Sequence, residues 1–114
     1  MPEKPSIACD QTRITKEERA EHHRNAEFVL GSLQQIEEIA DGYALQLPEG
    51  RENIERAASF IALERLCCPF MHFSLEIESN HGHVWLKLTG ADGVKAYLND
   101  NLIPMIKSNS DSKS

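Results

Sequence analysis

Two adjacent cysteines, Cys67 and Cys68, stand directly before Pro69 and close to an acidic residue and a histidine. Glu64 lies three and four positions before the pair, which places its carboxylate on the same face of a helix as the two thiols. His72 follows after the turn that Pro69 imposes. Thiolates and imidazoles are ligands for soft and borderline metals and metalloids, among them zinc, copper(I), mercury and arsenite. The segment therefore predicts a metal or metalloid site.

A third thiol, Cys9, lies near the N-terminus. Three thiolates suit mercury, arsenite, lead, copper(I) or zinc, so Cys9 completes the site if its segment folds over Cys67 and Cys68. The odd number of cysteines and the adjacent pair argue against the disulfide scaffold of a secreted domain. No apolar run of signal-peptide length follows the N-terminus, which predicts a cytoplasmic protein whose thiols start reduced.

Two other interpretations of the cysteine pair stay open. In a thiol-redox enzyme or switch, one cysteine is the nucleophile and Glu64 or His72 is its base. The negative end of a helix dipole disfavours a thiolate and argues against that reading. Alternatively, both cysteines are small buried apolar residues in a non-catalytic interaction module, and Trp85 marks the interface of a homodimer. No phosphate-binding glycine loop, nucleophile elbow or zinc-protease motif is present, so whether the protein is an enzyme stays open.

The net charge of the chain argues against two classes of binding partner. The chain has 114 residues, of which 12 are basic and 18 acidic, and its net charge is -6. Binding to phosphates needs an excess of Lys and Arg, and anionic membranes attract basic segments. Neither nucleic acid nor a membrane surface is therefore an expected partner, whereas a metal ion or another small thiophile is. No run approaches the ~20 apolar residues of a membrane span.

The elements that must position these residues form an α+β fold. We expect an N-terminal helix and then two hairpin–helix units, with an antiparallel sheet that carries the helices on one face. A capping box formed by Thr15 and Glu18 begins the first helix, which runs to about Leu30. Its two histidines, His22 and His23, are expected in solvent.

Two hairpins are predicted where alternating apolar residues flank a turn signal. Their strands are 33–39 with 43–47 and 71–77 with 84–89. The first of these ranges also fits a helical period. In the second hairpin, a two-residue turn at His81 and Gly82 places Gly82 at positive φ and Glu76 opposite Lys87.

The second helix is predicted from Glu52 to Cys67 and ends there, because Pro69 disfavours helical backbone at the residue before it. A last helix is predicted up to about Leu102, with Pro104 as its stop. The expected organisation is a flexible arm at 1–14, a single α+β domain at 15–104 and a disordered polar tail at 105–114.

The string E-R-L-C-C-P-F at 64–70 resembles the E-R-x-C-C-P-F motif of a family of small uncharacterised bacterial proteins. The resemblance takes in 62–73 and 84–90 and extends over most of 9–102. Members occur near heavy-metal-resistance genes or attached to mercury-resistance-type transcriptional regulators. This resemblance implies a metal or metalloid context.

The same resemblance bears on the ligands. Cys67 and Cys68 match the motif, and Cys9 matches a cysteine ahead of the first helix. At the position of His72 the family carries another residue, which favours the three thiols as ligands. Glu64 and His72 then remain auxiliary members of the predicted set.

Overall fold

A computed structural model of the chain describes the backbone of residues 9–111 and the side chains of residues 9–108. A 3-10 turn, three helices and four strands follow one another in the predicted order of a helix and two hairpin–helix units. They are Gln11–Arg13 (the 3-10 turn), Lys16–Gly31 (α1), Gln35–Ile39 (β1), Gly42–Leu47 (β2), Arg51–Cys67 (α2), Met71–Ile77 (β3), Val84–Gly90 (β4) and Val94–Asp111 (α3). The predicted α+β class is confirmed.

The four strands form one antiparallel sheet in the order β1-β2-β4-β3. Because side chains alternate between the two faces of a strand, β2 and β4 each present one apolar set to the helices. That set packs against buried residues of all three helices, and the core comprises Val29, Leu30, Tyr43, Leu45, Leu47, Ala57, Phe60, Val84, Leu86, Leu88, Val94, Leu98, Leu102 and Ile106. Trp85 lies on the opposite face of β4 and is half-buried. The homodimer through that face stays a prediction.

The first hairpin has the predicted form, so the region at 33–39 contributes a strand and not a helical turn. In the pairing of β1 with β2, Gln35 lies opposite Gln46 and Ile39 opposite Gly42. A Cβ atom at Gly42 would collide with the backbone carbonyl of Leu88. Glycine at this position therefore lets β2 and β4 approach closely.

The second hairpin differs from its prediction in register and in turn. Glu76 lies opposite Trp85 and not opposite Lys87, so the predicted register is wrong. The two charged side chains still form an ion pair of 2.9 Å, because diagonal neighbours on a sheet lie within reach of long side chains.

The cause of the register difference is the loop at 78–83. Asn80 and His81 have φ of 59° and 56°, whereas Gly82 is outside the left-handed region, so the predicted positive φ at Gly82 is wrong. Asn and His are among the residues that adopt this region most readily. The chain therefore turns one position earlier and over a longer loop than a two-residue turn.

The first helix begins at the predicted capping box. The Thr15 hydroxyl accepts from the backbone N–H of Glu18, and the Glu18 carboxylate accepts from the backbone N–H of Thr15. The expectation that His22 lies in solvent is wrong, since it is only 6% exposed. His22, Asn25 and Val29 follow one another at helical spacing and are all buried. The buried face of α1 thus extends toward the N-terminus of the helix, where its residues are the polar His22 and Asn25.

The N-terminal segment (residues 9–14) is packed against the fold, in contrast to the flexible arm expected at that end. Its last residue, Ile14, is buried in a small cluster with Cys67 and Cys68. Residues 1–8 of the expected arm lie outside the described residues.

The last helix continues through Pro104 to Asp111, so the prediction that it ends before Pro104 is wrong. Up to Asp111 the expected disordered tail is helical, and residues 112–114 lie outside the described part of the chain. Buried residues recur every four positions across the proline, namely Val94, Leu98, Leu102 and Ile106. Burial of this continuous stripe outweighs the one backbone hydrogen bond that a proline removes.

We expect Ile106→Ala to destabilise the protein by about 2–4 kcal/mol, because it removes buried atoms and leaves a cavity. Ile106 is 6% exposed, whereas its neighbour Met105 is 50% exposed. Met105→Ala is therefore the matched control and should change the free energy of unfolding by less than about 0.5 kcal/mol. Urea denaturation of both variants measures the difference. Equal stabilities would contradict the packing of α3 beyond Pro104.

Candidate functional site

The site lies where α2 ends. Pro69 stops the helix, and the last carbonyls of a helix lack intrahelical partners. The backbone N–H of Cys68 donates to the carbonyl of Glu64 at 2.8 Å, and the carbonyl of Cys67 accepts from the backbone N–H of Asp10, also at 2.8 Å. A free carbonyl at the helix end thereby binds the N-terminal segment.

Further contacts fix the N-terminal segment to α1. The guanidinium of Arg19 donates to the carbonyl of Gln11 at 3.2 Å and to that of Ile14 at 2.9 Å. Asp10 caps the 3-10 turn by accepting from both the hydroxyl and the backbone N–H of Thr12, and these bonds lower the pKa of Asp10. The segment is thus held in one place against two helices.

This docking brings Cys9 to Cys68, and the two form a disulfide with their Cα atoms 4.5 Å apart. Cys67 is the free cysteine. The expectation that all three thiols are reduced is therefore wrong for Cys9 and Cys68. The sequence could not place Cys9, because its position depends on the hydrogen bond between the N-terminal segment and the end of α2.

Glu64 completes a group of three potential ligands. Its Oε1 lies 3.2 Å from Sγ of Cys68, as the spacing of four residues along a helix predicts. Ligand atoms of Cys9, Glu64 and Cys68 all lie within 4.8 Å of one another. Cys68 is fully buried, Glu64 is partly buried and Cys9 is exposed, so solvent reaches the group from the side of Cys9.

Two residues of the predicted ligand set lie elsewhere. Cys67 is buried beside Ile14, and it is absent from the group of potential ligands in the described residues. Burial raises the pKa of the Cys67 thiol, and the nearby charge of Glu64 raises it further. His72 is exposed on β3 opposite Thr89 and does not join that group either.

Tyr97 of α3 forms two hydrogen bonds with Cys9. Its hydroxyl donates to Sγ of Cys9 at 3.1 Å and accepts from the backbone N–H of Cys9 at 3.4 Å. The ring also meets Phe70 edge to face, with centroids 5.4 Å apart. Sequence reasoning missed Tyr97, and no local pattern signals it, because the contact joins the two ends of the chain.

His22 of α1 lies beside Glu64. Its Nε2 lies 3.5 Å from Oε1 of Glu64, and its ring stacks on Phe60 with centroids 5.2 Å apart. Sequence reasoning missed His22 too. Its spacing of three and seven residues from Asn25 and Val29 was the available signal, because it places His22 on the inward face of α1.

Comparisons with protein-family models, with curated proteins and with solved structures find no match for this chain. No helix within residues 9–111 combines the length and the apolar character needed to cross a membrane.

We expect the folded, unreduced protein to react slowly with iodoacetamide, and only at Cys67. The raised pKa of the buried Cys67 thiol leaves little thiolate at neutral pH, and the reaction should accelerate as the pH rises. Mass spectrometry should count one label after unfolding and three after unfolding with reduction. Cys67→Ser is the control and should take no label without reductant. Rapid labelling of Cys9 in the unreduced protein would contradict the assigned pairing.

Proposed function

We propose that the protein binds a soft metal ion or metalloid through the thiolates of Cys9 and Cys68, with the carboxylate of Glu64 as a third ligand. The observation that carries this proposal is the approach of their ligand atoms to within 4.8 Å of one another. Two thiolates and a carboxylate suit zinc, and the thiolates alone suit mercury, arsenite or copper(I). The resemblance to a family found near heavy-metal-resistance genes supports the same context.

Metal binding and the disulfide exclude each other at this site. A metal ion binds the thiolate form of cysteine. In a disulfide, each sulfur is instead bonded to the other sulfur and is not a thiolate. A dithiol reductant must first transfer two electrons to the Cys9–Cys68 bond, which yields two thiols and the oxidised reductant. The ion then displaces the two thiol protons. We place the protein in the cytoplasm, where thioredoxin and glutathione keep thiols reduced.

The proposed ligand set is smaller than the one proposed from the sequence. Cys67 is left out because its side chain is buried in the cluster with Ile14. His72 is left out because it is exposed on β3, away from the three ligands. Of the two adjacent cysteines, Cys68 is thus a proposed ligand and Cys67 belongs to the small buried cluster with Ile14.

We expect the reduced protein to bind one zinc ion, and Cys9→Ser or Cys68→Ser to weaken binding by more than 100-fold. The loss of an outer-shell partner alone costs about 10–100-fold in metal affinity, and these changes remove a ligand. Cys67→Ser is the matched control and should keep both stoichiometry and affinity. Native mass spectrometry gives the stoichiometry, and competition with a chromophoric chelator gives the affinity. Mercury and arsenite titrations then test the metal preference.

Three outcomes would contradict the proposal. The first is zinc binding of unchanged affinity when Cys9 and Cys68 are both serine. The second is stoichiometric binding by the oxidised protein. The third is loss of binding in Cys67→Ser while that variant stays folded, because this result would return Cys67 to the ligand set.

A second candidate function is a thiol-redox switch, and the disulfide itself favours it. The bond joins residues 59 positions apart and ties the N-terminal segment to the corner between α2 and β3. Reaction of the two thiols with glutathione disulfide forms the Cys9–Cys68 bond and releases two glutathione thiols. The switch would thereby change how firmly the N-terminal segment is held.

We expect reduction to lower the free energy of unfolding by roughly 2–4 kcal/mol, because a disulfide restricts the unfolded chain. Denaturant unfolding with and without a reductant measures the change. Cys9→Ser is the control, since it should have the lower stability with or without reductant. Equal stability of the oxidised and reduced wild-type protein would argue against a switch that acts on the N-terminal segment.

A further inference from the structure

We propose that His22 is a positioning residue for Glu64, whose carboxylate it holds against Cys68 by donating a hydrogen bond from Nε2. This inference rests on the proposed metal-binding function and adds a residue of α1 to that site. Glu64 lies on α2 and Cys68 directly follows it, whereas His22 lies on α1. The site thereby depends on the packing of α1 against α2.

The geometry centres on one oxygen atom. Oε1 of Glu64 lies 3.2 Å from Sγ of Cys68 and 3.5 Å from Nε2 of His22. His22 is absent from the group of atoms that lie within 4.8 Å of one another. It is therefore a partner of a ligand and not itself a ligand.

The ring of His22 is itself fixed in place. It is buried, and it stacks on Phe60 at an interplanar angle of 21°. Its other nitrogen, Nδ1, is buried and has no hydrogen-bond partner among the described residues. A neutral imidazole carries one N–H, and a buried N–H without an acceptor is costly. Nε2 is therefore the ring nitrogen that faces a polar partner, the carboxylate of Glu64.

This arrangement has a clear use at a metal site. A glutamate has three rotatable bonds and, near the surface, its carboxylate gains by turning into water. A donor on one of its oxygens restricts that motion. Carboxylates that bind metals are commonly oriented by such hydrogen bonds, and the loss of an outer-shell partner typically costs 10–100-fold in affinity.

The test uses zinc alone as the probe and the full-length reduced protein. We expect His22→Ala to bind one ion with roughly 10–100-fold lower affinity. His22→Gln should recover most of that loss, because its amide can still donate to Glu64. His23→Ala is the matched control, since the side chain of His23 is 74% exposed and pairs with Glu27 on the surface. Circular dichroism confirms that each variant is folded.

A double-mutant cycle separates positioning from general destabilisation. In a Glu64→Ala background, a further His22→Ala should not change zinc affinity, because His22 acts only through Glu64. An equal loss in both backgrounds would overturn the positioning role, as would wild-type affinity in His22→Ala. A folded His22→Gln that binds as weakly as His22→Ala would also overturn it.

The two proposals fail in different ways. If the reduced wild-type protein binds no zinc, mercury or arsenite, the proposed function fails, and the role of His22 in metal binding fails with it. If the wild type binds through Cys9 and Cys68 and the variants of His22 bind equally well, only the present inference fails.

Discussion

The end of α2 at Pro69 is the constraint on which the site depends. A proline cannot donate a backbone hydrogen bond and disfavours helical backbone at the residue before it, so the helix ends with unsatisfied carbonyls. One of them, on Cys67, accepts from Asp10. That bond is one of several contacts that hold the N-terminal segment beside Cys68. The same helix end carries Glu64 one turn earlier, so one interruption assembles both sulfurs and the carboxylate.

Local signals were enough to predict most of the fold. The capping box at Thr15, the turn signal of the first hairpin and the alternation in β3 and β4 each depend on near neighbours in the chain, and each of these elements is present in the structure. The helix end that Pro104 predicts is wrong, because tertiary packing overrides that local signal. A proline is locally a helix breaker, but Ile106 is buried beyond it, and the tertiary packing that favours the longer helix is invisible in a window around the proline.

The candidate site was predictable only in part. The helical spacing of Glu64 and Cys68 placed those two side chains together correctly. It also suggested that Cys67 shares their role, although adjacent helical residues diverge by about 100° and Cys67 is buried with Ile14. His22 and Tyr97 come from other helices. Their approach depends on how α1 and α3 pack, which no spacing within one segment encodes.

The disulfide closes a covalent ring that contains α1, β1, β2 and α2 and leaves β3, β4 and α3 outside. β4 nevertheless lies in the middle of the sheet and pairs with β2 inside the ring. Both sulfurs precede β3 in the chain, so during synthesis they leave the ribosome before any residue of the second hairpin. The two thiols can therefore meet an oxidant or an ion before β3, β4 and α3 have left the ribosome. Whether Cys9 and Cys68 become oxidised or bind an ion can thus be decided before the tertiary structure is complete.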